Sequence, residues 1–175
     1  MTENSMMTTT GSPRTKKTRK PRKKTVVKKL PSNPFMNEIL ELVSKQKTDA
    51  DKVALLKEYE CDILKSLFIW NFDGSVISLL PQGSVPYKPN ESPLGTDHSS
   101  LRREQRSLYN FVKGGNDALS TIRRETIFIQ MLEGLHPKEA DIIIAVKDKG
   151  LEELYDVSFD VVEEAYPDIQ WGGRS

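Results

Sequence analysis

Cysteine is almost absent from this sequence, since Cys61 is the one cysteine among 175 residues. A single thiol can form no disulfide within the chain and no cysteine cluster for zinc. Long apolar runs are missing as well, because no stretch approaches the roughly 18 residues that a membrane-spanning helix needs. The first residues also lack the apolar core of a signal peptide. These absences indicate a reducing, aqueous compartment and no membrane partner.

Histidine is scarce, and the phosphate-binding glycine motifs are missing. The chain has His98 and His136 only, with no Walker loop and no Gly-x-Gly-x-x-Gly. Residues 97–99 contain the types of a catalytic triad, but consecutive side chains point in different directions and form no relay. Glu133 and His136 form one Glu-x-x-His pair where a di-iron bundle needs two, and His136 precedes Pro137 as a helix-entry residue does. We therefore expect no enzyme, no metal site and no cofactor.

Charge is divided unevenly along the chain, although 26 basic residues nearly balance 25 acidic ones. Residues 1–30 carry ten cations and one acid, a net charge of +9, and the remainder has a net charge of −8. The ten cations are Arg14, Lys16, Lys17, Arg19, Lys20, Arg22, Lys23, Lys24, Lys28 and Lys29. This segment has too few apolar residues to offset chain entropy by burial. We expect a disordered basic tail over residues 1–32.

Helical periodicity dominates residues 33–175, which we interpret as one all-α domain of about six helices. The predicted helices cover about 34–46, capped by Asn33; from Thr48 to about Trp70, with Cys61 in mid-helix; from 97 or 99 to about 114; 117–134; 137–150; and 158–167. Residues 127–132 are apolar on nearly every face, which predicts the central buried helix. Residues 71–97 contain four prolines and three glycines and predict a long loop, either functional or disordered.

The basic tail is the strongest functional signal. Ten cations on a flexible chain suit the closely spaced charges of a phosphate backbone. Such contacts give affinity with little sequence specificity. The alternatives are a solubilising tail, or an arm that docks on an acidic protein.

A second basic group lies at residues 99–124, with a net charge of +4. Its cations are Arg102, Arg103, Arg106, Lys113, Arg123 and Arg124. They either continue the path of a bound nucleic acid or form structural ion pairs with the acidic part of the domain. Residues 100–104, Ser-Leu-Arg-Arg-Glu, are followed 21 residues later by the similar string Thr-Ile-Arg-Arg-Glu at 121–125. This repeat indicates two related helices that each present an arginine pair, or it is a coincidence.

The C-terminal region is acidic, with eight carboxylates between Asp148 and Asp168. They are interpreted as one solvated surface, or as the surface that holds the basic tail when no nucleic acid is bound. Two loop aromatics, Phe72 and Tyr87, either stack on bases or hold the loop to the domain.

Several strings in the chain resemble one protein family. They include Asn33-Pro-Phe-Met-Asn-Glu-Ile-Leu, Trp70-Asn-Phe-Asp73, Leu132-Glu-Gly-Leu-His-Pro137 and Ala165-Tyr-Pro-Asp-Ile-Gln-Trp-Gly-Gly173. They are similar to small proteins of T4-like viruses of marine cyanobacteria, classed as a domain of unknown function. The resemblance spans about 33–175 and leaves out the tail. It implies a viral origin and the host cell cytoplasm, and it transfers no catalytic residue.

The sequence thus predicts a non-enzymatic nucleic-acid-binding accessory protein of viral DNA metabolism or transcription, with DNA favoured over RNA. The alternative is an adaptor whose acidic helical domain binds a viral or host protein, with the tail as an accessory. The oligomeric state is not predicted.

Overall fold

The computed structural model describes residues 29–93, 95–96 and 99–174. Over these residues the chain is all-α, with eight α-helices, one 3-10 helix and no strand. The elements are α1 Met36–Ser44, α2 Asp49–Glu58, α3 Asp62–Phe72, α4 Leu101–Glu104, the 3-10 helix Gln105–Phe111, α5 Thr121–Gly134, α6 Pro137–Lys147, α7 Leu151–Tyr155 and α8 Phe159–Ala165. The predicted all-α class is confirmed, with eight α-helices in the described residues rather than about six, and residues 1–28 of the predicted tail lie outside the described residues.

Three helix starts follow from local sequence as predicted. Thr48 caps α2, and its hydroxyl accepts a hydrogen bond from the backbone N–H of Asp51. His136 precedes Pro137 at the start of α6, and the imidazole accepts from the backbone N–H of Lys138. Ser158 precedes α8 in an extended conformation, so the start is where the sequence predicts it, but its side chain makes no capping hydrogen bond. Caps of this kind depend on residues within one helical turn, so the sequence alone indicates them.

The single helix predicted from Thr48 to Trp70 is wrong. Tyr59 ends α2, and Cys61 takes an extended conformation as the N-cap of α3, where it is half-buried rather than in mid-helix. The break redirects the chain, because α2 packs on α1 and α8 whereas α3 packs on α6. The apolar stripe continues across the break, so helical periodicity alone does not reveal it.

Further helix boundaries differ from the predictions. The helix expected to end near 114 is a four-residue α4 that tightens into the 3-10 helix. The helix expected from 117 begins at Thr121, because the Ser120 hydroxyl accepts the hydrogen bond of Arg123 N–H. The first helix begins at Met36 after Phe35, rather than after Asn33.

The centre of the core lies at α6, which packs on α1, α3, α5 and α7. Its residues Ala140, Ile142, Ile143 and Val146 are completely buried. The prediction that α5 is the central helix is wrong, because α5 buries only the face that carries Arg124, Phe128, Met131 and Leu132. An apolar composition on all faces does not require burial on all faces.

The first half of the proline-rich loop is bound to the domain. Leu79 N–H donates to the carbonyl of Phe111 (2.8 Å), and Lys113 N–H donates to that of Ile77 (2.9 Å). An isolated antiparallel bridge joins Ser78 to Val112. These contacts place the loop beside the 3-10 helix and form one wall of the groove described below. Within the described residues, no helix is both long and apolar enough to cross a bilayer.

Candidate nucleic-acid interface

Most cations of the basic tail lie outside the described residues. These are Arg14, Lys16, Lys17, Arg19, Lys20, Arg22, Lys23, Lys24 and Lys28. Lys29 is described and exposed. The chain enters the domain at Leu30, whose N–H donates to the Tyr59 hydroxyl (3.2 Å). The role of these cations in binding stays a prediction.

The second basic group is divided by the fold. Arg103, Arg106, Lys113 and Arg123 are exposed. Arg102 is half-buried, and its guanidinium donates to the carbonyl of Pro34 (3.3 Å). Among the ion pairs of the described residues, none involves a member of this group. The exposed cations therefore remain able to meet a solvent-borne anion.

Arg124 does not belong to that surface. Its side chain is buried, with the residue 5 % exposed. The guanidinium donates to the carbonyls of Asn110 (2.7 Å, from Nε) and Asn116 (2.9 Å, from Nη2). A planar fork with fixed donors suits two carbonyls on one bend of the chain. Arg124 thus holds the segment between the 3-10 helix and α5. Its partners are backbone carbonyls, whereas the sequence predicted either phosphates or carboxylates.

Three lysines, Lys52, Lys147 and Lys149, likewise donate hydrogen bonds to carbonyls of the domain, and the first two of them are buried. The ammonium of Lys147 donates to the carbonyls of Pro81 (3.0 Å) and Gly83 (2.8 Å), and it pairs with the carboxylate of Asp148. The Lys52 ammonium donates to the carbonyl and carboxylate of Asp156.

The Lys149 ammonium donates to the carbonyls of Trp70, Asp73 and Val76. Partial burial lowers the pKa of Lys149 from its ordinary value, which the nearby Asp73 carboxylate partly opposes. Cations near a helix C-terminus satisfy carbonyls that the helix leaves free. Part of the basic content of the domain is therefore structural.

A buried carboxylate joins two helix starts. Glu139 accepts hydrogen bonds from Met36 N–H at the first turn of α1 (3.0 Å) and from Leu101 N–H at the first turn of α4 (2.9 Å). Negative charge is favoured at helix N-termini, where backbone N–H groups lack helical acceptors. Glu139 therefore positions α4, and with it Arg102 and Arg103.

An apolar groove lies between α3, the proline-rich loop and the 3-10 helix, with a volume of about 280 Å³. Its apolar wall consists of Ile69, Trp70, Val76, Leu108, Tyr109 and Val112. We call it the Tyr109 groove, because Tyr109 stands at its edge with the residue 53 % exposed. Tyr109 is not among the residues predicted from the sequence, although its position between Arg106 and Lys113 is a usable signal, an aromatic residue flanked by cations.

The two aromatics considered for stacking occupy other places. Phe72 contacts the rings of Phe68 and Phe159. Tyr87 packs against the core, and partial burial raises the pKa of its hydroxyl. Both hold the chain to the domain, which is the second of the two interpretations that the sequence left open.

Asp73 anchors the C-terminal segment beside the groove. Its carboxylate accepts hydrogen bonds from Ser75 N–H (2.8 Å) and Gly172 N–H (2.9 Å), and from the Arg174 guanidinium. Burial by itself raises the pKa of Asp73, but these bonds outweigh it and hold the pKa at about 2. Arg174, which lines the groove, is thereby held in place.

The acidic region forms an exposed surface, as predicted. Its exposed carboxylates are Glu152, Glu153, Asp156, Asp160, Glu163 and Glu164. They lie on α7, on α8 and on the turn between these helices. Within the described residues, no group of three or more histidine, cysteine or acidic side chains is arranged to hold a metal ion.

These features define an all-α domain with a basic surface around the 3-10 helix and an acidic surface at α7 and α8. Residues 39–153 match the family of unknown function DUF6433. The chain belongs to that family. The matched range is shorter than the range of the resemblance, about 33–175, and leaves out the start of α1 and all of α8. The comparisons with curated proteins and with solved structures gave no match.

Proposed function

We propose that this protein is a non-enzymatic accessory factor that binds nucleic acid through its basic tail and the exposed cations of the domain. The observation that carries the proposal is the net charge of +9 in residues 1–30. A phosphate backbone is the partner whose charge density matches such a segment. Phosphate contacts position a protein on nucleic acid but do not distinguish one base sequence from another.

The domain supplies further support for this proposal. Arg103, Arg106, Lys113 and Arg123 are exposed and form no ion pair with the described residues. Arg124 is excluded from the interface because its guanidinium already has two carbonyl acceptors. Arg102 contributes at most part of its guanidinium, since it also binds Pro34.

The biological setting is proposed from the resemblance to proteins of T4-like viruses. A sequence-independent binder serves viral DNA replication, recombination, packaging or late transcription, so DNA is the favoured partner over RNA. The corresponding location is the cytoplasm of a bacterial host.

A fluorescence-anisotropy titration tests the proposal. The full chain is compared with a variant in which Lys20, Arg22, Lys23 and Lys24 are replaced by glutamine. On duplex DNA, each lost phosphate contact lowers the log–log salt slope by about 0.9, so the slope falls by up to about 3.6. No binding by the native chain at low salt overturns the proposal.

A matched variant separates this result from a general effect of charge. Lys45, Lys47, Lys57 and Lys88 are exposed lysines of the domain. Their replacement by glutamine removes the same four charges and is expected to preserve most of the affinity and the slope. Equal losses in the two variants indicate that net charge alone drives binding.

A second candidate function is a protein adaptor, favoured by the exposed carboxylates of α7 and α8. A basic partner, viral or host, then binds the domain and needs no tail. The tail variant distinguishes the two functions, because it keeps the protein partner in a pull-down while it loses nucleic acid.

A further inference from the structure

The Tyr109 groove combines an apolar wall with an exposed ring and a basic edge. We propose that it accepts an unpaired base, so that the protein prefers single-stranded nucleic acid to a duplex. This inference rests on the proposed function and names the form of nucleic acid that the domain recognises.

The wall of the groove is fixed by packing inside the domain. The Trp70 ring stacks on Phe111, with centroids 6.3 Å apart and planes 12° apart, and Phe111 meets Phe128 edge-on. Trp70 and Phe111 are both buried. The aromatic stack therefore fixes the groove wall from the core side. We infer that the wall is preformed and does not have to rearrange when a base enters.

Tyr109 supplies the exposed ring. It lies on the 3-10 helix between buried Leu108 and half-buried Asn110, and 53 % of it is exposed. An exposed aromatic side chain at the edge of an apolar groove offers a face on which any base can stack. Polar groups of Gln105 and Arg174 also line the groove and can meet the hydrogen-bonding edge of a base.

The charges around the groove match a nucleic-acid strand. Arg106 precedes Tyr109 by three residues and Lys113 follows it by four, and both are exposed. The backbone bond from Lys113 to Ile77 places Lys113 beside the loop wall. The buried Asp73 carboxylate nearby is paired with Arg174. A strand whose base stacks on Tyr109 thus has two exposed cations within four residues of that ring for its phosphates.

A single strand fits this arrangement better than a duplex. In a duplex the bases are stacked and paired, and extrusion of one base costs a few kcal/mol. In a single strand the base faces are available, and proteins bind such strands by a basic groove with aromatic platforms. An apolar peptide segment fits the wall but leaves the flanking cations without a counterpart.

The first experiment compares Tyr109→Ala with Tyr109→Phe in the full chain. Anisotropy is measured with labelled oligothymidylate and with a labelled duplex of equal length. Tyr109→Ala is expected to weaken single-strand binding about 5- to 150-fold, which corresponds to about 1–3 kcal/mol per stacked base. Tyr109→Phe keeps the ring and is expected to retain affinity, and duplex binding is expected to stay unchanged in both variants.

Leu154→Ala is the matched control for the loss of an exposed apolar side chain. Leu154 is 46 % exposed on α7, among the carboxylates. This variant is expected to bind both oligonucleotides as the native chain does. An equal loss on the single strand in Leu154→Ala and Tyr109→Ala overturns the inference.

The second experiment uses Trp70 as a reporter. The chain has two tryptophans, so Trp171→Phe leaves Trp70 as the only one. Oligothymidylate is expected to change its emission, and the duplex is expected to leave it unaltered. If oligothymidylate binds but neither changes the Trp70 emission nor binds more weakly to Tyr109→Ala, the groove is not the site of an unpaired base. That result leaves the proposed function standing. Absence of binding to either oligonucleotide overturns both.

Discussion

Two segments of this domain have nearly the same sequence and opposite environments. Residues 100–104 read Ser-Leu-Arg-Arg-Glu, and residues 121–125 read Thr-Ile-Arg-Arg-Glu. Leu101 is completely buried, whereas Ile122 is 80 % exposed. Each aliphatic residue occupies the same place in its segment, so residue type alone does not decide which one enters the core.

The arginine pairs differ in the same way. In the first segment Arg102 is half-buried and Arg103 is exposed; in the second Arg123 is exposed and Arg124 is buried. The interpretation as two helices that present equivalent arginine pairs is therefore wrong. A shared pattern of five residues indicates that both segments form helices, but it does not indicate which face of each helix packs on the core.

The cause of the difference lies outside both segments. The carboxylate of Glu139 binds the N–H of Leu101 and brings the start of α4 against the core. The start of α5 is capped by Ser120, which belongs to its own turn. Its inward contact is made by Arg124 through the carbonyls of Asn110 and Asn116. One segment is thus held at its second residue and the other at its fourth.

The largest contrast is expected from the two aliphatic residues. Leu101→Ala removes a fully buried side chain and is expected to lower the free energy of unfolding by about 2–5 kcal/mol. Ile122→Ala is expected to change it by less than about 0.5 kcal/mol, because the residue is exposed. Urea unfolding of both variants measures the difference. Similar losses show that the environments of the two residues are alike.

The arginines provide the next contrast. Arg124→Ala removes two charge-assisted bonds and leaves two carbonyls without their donors, so it is expected to destabilise the domain by about 3 kcal/mol. Arg103→Ala, at the equivalent position, is expected to have an effect below about 0.5 kcal/mol. Thermal unfolding at one salt concentration measures both. An Arg124→Ala variant as stable as the native chain contradicts the structural role.

Glu139 tests the cause of the contrast. Glu139→Gln keeps the shape but replaces one acceptor oxygen with an amide nitrogen, which cannot accept from a backbone N–H. The variant is expected to lose about 2 kcal/mol of stability and to loosen α4, with faster hydrogen exchange at Leu101. Glu164→Gln, on the exposed surface of α8, is the control. Unchanged exchange at Leu101 means that another contact holds α4.

The smallest effect on stability is expected at the exposed cations. Arg103→Gln and Arg123→Gln are each expected to leave unfolding nearly unchanged and to lower the log–log salt slope of duplex binding by about 0.9. A slope that stays constant in both variants places the two residues outside the interface. This measurement separates an effect on binding from an effect on stability. A double variant with Arg123→Ala and Arg124→Ala would not separate them, because the loss of Arg124 also destabilises the domain.

Much of the fold could be predicted from local patterns. The residue types at Thr48, Pro137 and Ser158 predicted three helix starts, because start signals depend on neighbours within one turn. The Thr48 hydroxyl makes the expected capping bond, whereas the Ser158 side chain makes none. The same patterns failed at Cys61, where two apolar stripes meet across a break. They also missed α7, a helix of five residues whose first residue, Leu151, donates a backbone bond to the side chain of Asn71.

The candidate site was accessible to sequence reasoning only in part. The basic group at residues 99–124 was found, but Tyr109 was missed and Arg124 was included. Exposure of Tyr109 depends on Leu108 and Phe111 turning inward from the same 3-10 helix. Burial of Arg124 depends on a bend whose carbonyls lie 8 and 14 residues away.

By itself the sequence determined the all-α class, three of the helix starts and the separation of charge along the chain, because each of these depends on composition or near neighbours. Only the tertiary structure decided which helix is central, which arginine is buried and where an aromatic side chain stands beside exposed cations. These outcomes depend on contacts between distant residues, such as that of Leu101 with Glu139 across 38 positions. A charged side chain takes its role from the groups that the fold places around it.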